Sequence, residues 1–183
     1  MKAKPIVQVP NLVLTSSAKS VTQFDGKLKH VIDDMKATLI ATRNPKGVGL
    51  AAPQVGLSIR LFITRPTEKS TIRVFINPEI IKTTESVTDG VPERSNKLEG
   101  CLSIPNVWGK VKRMTTLSLR YQDEHGKMHE EEFGGFLATI IQHETDHTNG
   151  ILFTQRVLEQ KERLYQVEQD EEGKEVLEEI KIG

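Results

Sequence analysis

The stretch that decides both the fold and the chemistry is IIQHETDH, residues 140–147, in which two histidines stand four positions apart. Residues four apart on an α-helix differ by about 40° in direction and by about 6 Å in height, so His143 and His147 project from one face. Two imidazole nitrogens on one face can reach the same ion at roughly 2.0–2.1 Å. The spacing therefore predicts a helix that binds a metal ion.

Glu144 directly follows the first histidine and lies about 100° round the helix from it. It is poorly placed as a third ligand, but it is close to the open side of the ion. A carboxylate there can take a proton from water that the ion holds, as in the H-E-x-x-H motif of metallohydrolases. The alternative is a helix with two surface histidines and a glutamate. The apolar neighbours argue against it, because half-buried histidines need partners; these neighbours are Phe136, Leu137, Ile140 and Ile141.

A third protein ligand is needed if water is to keep the fourth position. His125 and His129 lie upstream beside a turn in a polar segment, where solvent exposure is expected. Cys101, in LEGCLSIP (98–105), is the one cysteine of the chain. It could be a small buried residue, a nucleophile or a ligand, and a thiolate with two imidazoles suits zinc or ferrous iron.

Hydrophobic periodicity predicts an amphipathic helix over 24–43. A second helix, which carries the histidine motif, is predicted from residue 135 to about residue 148, because Asn149-Gly150 supplies a helix stop. Strand signals fall at 58–65, 71–78, 79–88 and 115–123, and 127–133 is predicted to return as a hairpin partner of the last. Pro45 is expected to stop the first helix. The charged tail, from about residue 158, fits either a hairpin with a turn at 170–173 or a frayed helix.

The composition favours one soluble domain spanning 1–183. The chain has 25 basic and 25 acidic residues, and this balance argues against direct nucleic-acid binding. No apolar run is long enough to cross a bilayer, so a cytoplasmic protein without membrane contact is expected.

Three blocks together resemble the peptide deformylase family, which removes the formyl group from the N-terminal formyl-methionine of nascent chains. They are GVGLAAPQVG (47–56), EGCLSIP (99–105) and QHETDH (142–147). The resemblance implies an α+β fold in which antiparallel strands pack around a central metal-binding helix, with one N-terminal amphipathic helix. It also implies formyl-methionyl nascent peptides as partners, together with a transient contact with the ribosome.

The resemblance also implies roles for individual residues. Glu144 would be the catalytic acid and base, and Gln54 and the backbone N–H of Leu102 would donate to the formyl oxygen. The ion would be ferrous iron in the cell, with zinc or nickel as alternatives. Its ligands would be Cys101, His143 and His147.

A methionine side chain needs an apolar pocket beside the ion. Residues three, four and seven positions before His143 share or border its face of the helix, so they can line such a pocket unless they are plain core. The glycine-flanked block at 47–49 can form the other wall, with the substrate extended against exposed backbone as an added strand. The predicted pocket residues are Val48, Gly49, Phe136, Thr139 and Ile140.

The sequence departs from the family pattern at positions that carry no ligand. Thr148 stands where leucine is usual, Thr15 where arginine is usual, and Val107-Trp108-Gly109 where many members carry an arginine. The last departure puts contacts with the substrate backbone in doubt. Separately, Asp146 is expected to orient a ligand or to pair with a basic residue such as Arg113.

Other functions fit parts of the same pattern. A zinc endopeptidase could use the same helix, although no further histidine follows residue 147. A deformylase-like protein without activity could bind nascent chains or metal. A metal-free enzyme could use Cys101 and His143 as a nucleophile and base, and its activity would survive chelation.

Overall fold

The computed structural model describes residues 2–43, 46–169 and 173–181. The helices within these ranges are α1 Leu12–Thr15, α2 Gly26–Ala41, α3 Gly135–Thr148 and α4 Phe153–Glu159, with a short 3₁₀ helix at Ala52–Val55. The strands are β1 Gly49–Ala51, β2 Leu61–Thr64, β3 Arg73–Thr83, β4 Glu99–Cys101, β5 Ile104–Gly109, β6 Thr116–Gln122, β7 Met128–Gly134, β8 Leu164–Gln169 and β9 Glu175–Glu179.

The strands form two antiparallel sheets, with the order β1-β2-β3-β6-β7 in one and β4-β5-β8-β9 in the other. α3 packs against β1, β2 and β7 of the first sheet. The predicted mixture of helices and antiparallel sheet is therefore confirmed. β1 and β4 are each the last strand at one end of their sheets within the described residues.

α2 covers one end of the first sheet. Its N-terminus is capped by the Asp25 side chain, which accepts hydrogen bonds from the backbone N–H groups of Lys27 and Leu28. The buried side of α2 packs on β1, β2 and β3, and this cluster includes Ile32, Met35, Leu39, Leu50, Leu61, Ile63 and Ile76. The helix thereby supports β1 from behind.

β3 departs from the sequence prediction at Asn77-Pro78. The prediction of one strand ending there and another beginning at residue 79 is wrong, because a single strand runs through both residues. The pairing with β2 ends at Ile76, and the pairing with β6 shifts register before Glu79. Pro78, which has no backbone N–H, is therefore not required to donate a hydrogen bond to either neighbouring strand. Asn77 has a φ of 51° and binds both backbone groups of Val21 through its side chain. A bulge thus replaces the predicted strand end.

The charged tail resolves into a hairpin. β8 pairs with β5 and β9 pairs with β8, so the frayed-helix alternative is wrong. Before the hairpin, α4 buries Phe153 and Val157 against Val111 and Leu164. The predicted helix stop at Pro45 and residues 170–172 of the predicted turn lie outside the described residues.

None of the helices in the described part of the chain combines the length and the apolar character that crossing a lipid bilayer requires.

An aromatic cluster fixes α3 to the first sheet. The Phe75 ring stacks on Phe62 at a centroid distance of 4.8 Å and lies 4.7 Å from Tyr121 and 5.8 Å from Phe133. Ala138 and Ile141 of α3 belong to the same buried cluster. The position of the helix that carries both histidines therefore depends on this packing.

Phe75→Ala should lower the free energy of unfolding by about 3–5 kcal/mol, because a fully buried ring leaves a cavity. Urea unfolding followed by circular dichroism measures the change. Met128→Ala is the matched control, since Met128 is 54% exposed and its truncation should cost less than about 0.5 kcal/mol. Equal losses in the two variants would contradict this account of the core.

Candidate metal centre

α3, the helix that carries both histidines, is held in place at both ends. At its N-terminus, β7 leads directly into the helix through Gly134. At its C-terminus, Gly150 has a φ of 73°, and a Cβ there would lie 2.7 Å from the Ser16 carbonyl carbon. The Thr148 hydroxyl donates to the Thr145 carbonyl at 2.8 Å, so this departure from the family pattern is buried with a partner for its hydroxyl.

The predicted ligands come together in space. One donor atom from each of Cys101, His143 and His147 lies within 4.8 Å of the other two. Cys101 Sγ is 3.2 Å from His147 Nε2, and the two imidazole rings are 4.9 Å apart at 74°. A thiolate and two imidazoles at these separations fit one divalent ion of the zinc or ferrous type.

The cysteine sulfur is held in the state that binds metals. Burial alone would raise the pKa of the Cys101 thiol, but the neighbouring His147 and His143 rings lower it to about 5. The thiolate is the ligand form of cysteine, so neutral pH favours metal binding at this position.

Glu99 fixes the orientation of His143, a role that sequence reasoning missed. The His143 Nδ1–H donates to Glu99 Oε1 at 2.6 Å, which leaves Nε2 for a ligand. Burial alone would raise the pKa of Glu99, but Arg113 and His143 hold it well below its ordinary value. Glu99 stands two residues before Cys101 on β4, so the strand period places both side chains on one face. That alternation was the available signal.

The expected pair between Asp146 and Arg113 is present. Arg113 Nη1 donates to Asp146 Oδ2 at 2.6 Å, and the same guanidinium holds Glu99 through Nη2 at 2.6 Å and Nε at 3.1 Å. Arg156 of α4 binds the other oxygen of Asp146 at 2.7 Å. The carboxylates on β4 and α3 are therefore joined through one buried guanidinium.

Glu144 lies against the glycine of β1. A Cβ at Gly49 would lie 2.8 Å from Glu144 Cδ, so only glycine leaves room for the carboxylate. Glu144 is buried, and its Oε2 has no hydrogen-bond partner among the described residues. Burial raises the pKa of this carboxyl to about 7. A carboxyl with that pKa can accept or release a proton near neutral pH.

Gln54 points its amide nitrogen into the site. Its Oε1 accepts the backbone N–H of Ala51 at 2.9 Å, and its Nε2 then lies 3.4 Å from Cys101 Sγ. Leu102 follows in the turn between β4 and β5 and lines the same pocket.

One pocket collects the predicted substrate residues next to the metal cluster. Its lining includes Val48, Gly49, Phe136, Thr139 and Ile140, beside Cys101, His143 and Glu144. Lys46, Arg94 and Trp108 also line it and were not predicted. His125 and His129 belong to the β6–β7 hairpin region instead, where His129 Nε2 lies 2.7 Å from Asp123.

Comparisons with known proteins agree on one family. Residues 3–163 match the family described as polypeptide deformylase. A peptide deformylase of Dehalococcoides mccartyi is 38% identical over 172 residues, which cover 94% of this chain and 96% of that protein. One from Pseudothermotoga lettingae is 41% identical over 141 residues, covering 77% and 75%.

Solved structures show the same likeness. The crystal structure of peptide deformylase from Thermotoga maritima aligns with a TM-score of 0.76 at 36% identity, covering 86% of this chain and 99% of that one. A class I type b peptide deformylase from Acinetobacter baumannii with Met-Ala-Ser bound aligns with a TM-score of 0.74 at 34% identity, covering 85% and 98%.

Glu99→Gln should weaken Zn²⁺ binding by about ten- to a hundredfold, because the amide no longer provides the charged acceptor that orients His143. Competition with a chromophoric chelator measures the affinity. Glu79→Gln is the control, since it removes an exposed acid of β3 that pairs with Arg120. Unchanged affinity in a folded Glu99→Gln protein would remove Glu99 from the metal centre.

Proposed function

This chain belongs to the polypeptide deformylase family, and we propose that it deformylates nascent peptides with Glu144 as the proton carrier beside an ion held by Cys101, His143 and His147. Enzymes of this family are hydrolases that remove the formyl group from N-terminal formyl-methionine. The observation that carries the residue assignment is the convergence of three donor atoms within 4.8 Å next to the pocket that Glu144 lines.

We propose ferrous iron as the native ion, with zinc or nickel able to replace it, because a thiolate and two imidazoles accept each of these metals. When bound, the ion acts as a Lewis acid and makes water a nucleophile near neutral pH. The donor set of the chain supports a single ion.

Glu144 would move the proton. Its carboxyl is buried with one oxygen unpartnered among the described residues, and its pKa of about 7 suits both directions of transfer. It accepts a proton from the attacking water and passes it to the amine nitrogen that leaves the formyl carbon. The products are formate and a peptide with a free N-terminus.

Gln54 and Leu102 would stabilise the charge that grows on the formyl oxygen. The backbone N–H of Ala51 donates a hydrogen bond to the side-chain carbonyl oxygen of Gln54. The N–H₂ group of Gln54 therefore already faces the site and need not reorient. The Leu102 backbone N–H is the proposed second donor. Hydrogen-bond donors that are fixed in advance around a developing negative charge often contribute more to the rate than any other group in the site.

The methionine side chain would enter the pocket lined by Val48, Gly49, Phe136, Thr139 and Ile140. The rest of the peptide would lie extended between β1 and β4, the end strands of the two sheets. Binding as an added strand reads little sequence beyond the first residue, which suits an enzyme that processes many chains. The Acinetobacter baumannii relative is solved with Met-Ala-Ser bound, which supports a methionyl peptide as the ligand of this chain.

The broader expectations belong to the same proposal. We propose that α3 is the central metal-binding helix, that α2 is the N-terminal amphipathic helix supporting β1, and that the chain acts as a single domain. A cytoplasmic location and a transient ribosome contact follow from a role in processing nascent chains. The balance of 25 basic and 25 acidic residues supports a protein that does not itself bind nucleic acid.

Glu144→Gln should lower kcat for formyl-Met-Ala-Ser by at least about a hundredfold, because the amide can no longer carry the proton. Metal content should stay unchanged, since Glu144 lies outside the cluster of donor atoms. Release of free amine measures turnover, and metal analysis of the same sample measures occupancy.

Two controls separate the alternative functions. Casein should remain uncut by the wild-type protein, whereas an endopeptidase would cleave it. Chelation should abolish turnover of the formyl peptide, and activity that survives complete metal removal would favour Cys101 as a nucleophile over the proposed mechanism.

Gly49→Ala should lower kcat by at least about tenfold, because the added methyl group displaces the Glu144 carboxylate from its position. Gly26→Ala is the matched control, since a Cβ at Gly26 meets nothing within 4 Å. Steady-state kinetics of both variants give the comparison. Full activity in Gly49→Ala would show that catalysis does not depend on the present placement of Glu144.

A further inference from the structure

The pocket beside the candidate metal centre contains a cation that pairs directly with no carboxylate of the described residues. Arg94 lines this pocket and is half-buried. Its Nη1 donates to the Leu98 carbonyl at 3.0 Å, and its Cζ lies 5.1 Å from the centre of the Trp108 ring. Within the described ranges, Arg94 forms no ion pair with a carboxylate.

Two other charged side chains of the pocket, Lys46 and Glu99, already have partners. Lys46 Nζ pairs with Glu68 Oε1 at 2.6 Å. The carboxylate of Glu99 acts on Arg94 only through space, because its two oxygens bind Arg113 and His143. The Arg94 guanidinium thus retains N–H donors and a positive charge for a ligand, and partial burial strengthens its attraction for an anion.

The loop that carries Arg94 is closed by its own hydrogen bonds. The backbone N–H of Val91 donates to the Lys97 carbonyl at 2.9 Å, and that of Lys97 donates to the Arg94 carbonyl at 3.0 Å. The side chain of Lys97 also pairs with Asp89 at 3.0 Å. These bonds fix the position of the Arg94 backbone, from which the side chain extends into the pocket.

Trp108 fixes the other side of the guanidinium. Trp108 lies opposite Gly100 in the pairing of β5 with β4, and a Cβ at Gly100 would lie 2.7 Å from the indole ring. The ring therefore rests on the backbone of β4, and Arg94 lies over the ring. Together they form a cationic wall along the strand that the extended substrate would follow.

We propose that Arg94 is a specificity-determining residue that favours formyl-methionyl peptides with an acidic side chain at the second or third position. The inference rests on the proposed function, because it concerns the same groove. A peptide that places formyl-methionine in the pocket and runs along β4 passes this wall with its next residues. A carboxylate there forms charge-assisted hydrogen bonds with the free guanidinium N–H groups, whereas a lysine is repelled.

The test compares kcat/KM for C-terminally amidated formyl-Met-Ala-Ser with peptides that carry Asp, Asn or Lys at position two or three. Amidation removes the terminal carboxylate, which could otherwise bind Arg94 itself. At one of the two positions, Asp should exceed Asn by about three- to tenfold and Lys should fall below Asn. Added salt should reduce the ratio of Asp to Asn, since Arg94 is only half-buried and its charge is partly screened.

Variants assign the preference to Arg94. Arg94→Gln should bring the ratio of Asp to Asn close to one, and Arg94→Lys should keep part of it because the charge remains. Arg163→Gln makes the same change in charge at a residue that pairs with Glu179 outside the pocket, and it should keep the wild-type ratio. A purely structural role for Arg94 would lower kcat/KM for all peptides in proportion and leave the ratio intact.

Two results would overturn the inference while leaving the proposed function standing. One is equal turnover of the Asp and Asn peptides by the wild-type enzyme at both positions. The other is a wild-type ratio that persists in Arg94→Gln. Failure to deformylate any peptide, formyl-Met-Ala-Ser included, would instead overturn the proposed function, and the inference with it.

Discussion

The buried guanidinium of Arg113 is the interaction on which the rest of the site depends. It is 5% exposed and binds Glu99 on β4 and Asp146 on α3, so it joins the strand that carries the cysteine to the helix that carries the histidines. Removing three charged groups from water is costly, and the hydrogen bonds among them must offset that cost. Because Glu99 in turn holds His143, an ion-pair network that shapes the fold also sets the direction of an imidazole.

The pocket lies beside two strands that end their sheets, and a glycine serves the same purpose on each. Gly49 on β1 leaves room for the Glu144 carboxylate, and Gly100 on β4 leaves room for the Trp108 ring. The first contact places Glu144, the proposed proton carrier, beside the cluster of candidate metal ligands. The second supports the Trp108 ring over which the Arg94 guanidinium lies. The absence of a side chain at these two positions therefore allows Glu144 and Trp108 to lie against the backbone of β1 and β4.

Local patterns predicted the elements whose stability is local. α2, α3 and the β6–β7 hairpin follow apolar periodicity and turn residues within a few positions of the sequence prediction. The strand break predicted at Asn77-Pro78 failed because the Asn77 side chain binds the backbone of Val21, distant in sequence. The charged sequence of the tail has no periodicity strong enough to distinguish a hairpin from a frayed helix. The pairing of β8 with β5 in the tertiary structure selects the hairpin.

By itself the sequence determined which side chains could bind a metal ion and how two of them are oriented. A four-residue spacing on a helix fixes the directions of the His143 and His147 imidazoles relative to each other. Only the tertiary structure decided that the sulfur of Cys101 lies 3.2 Å from His147 Nε2, and that Glu99 and Arg94 belong to the same pocket. Those separations depend on how β4 packs against α3 and on how the 89–98 loop closes. Packing between segments that are distant in sequence produces no periodic pattern of residues, whereas a helix produces a repeat that is visible in consecutive residues.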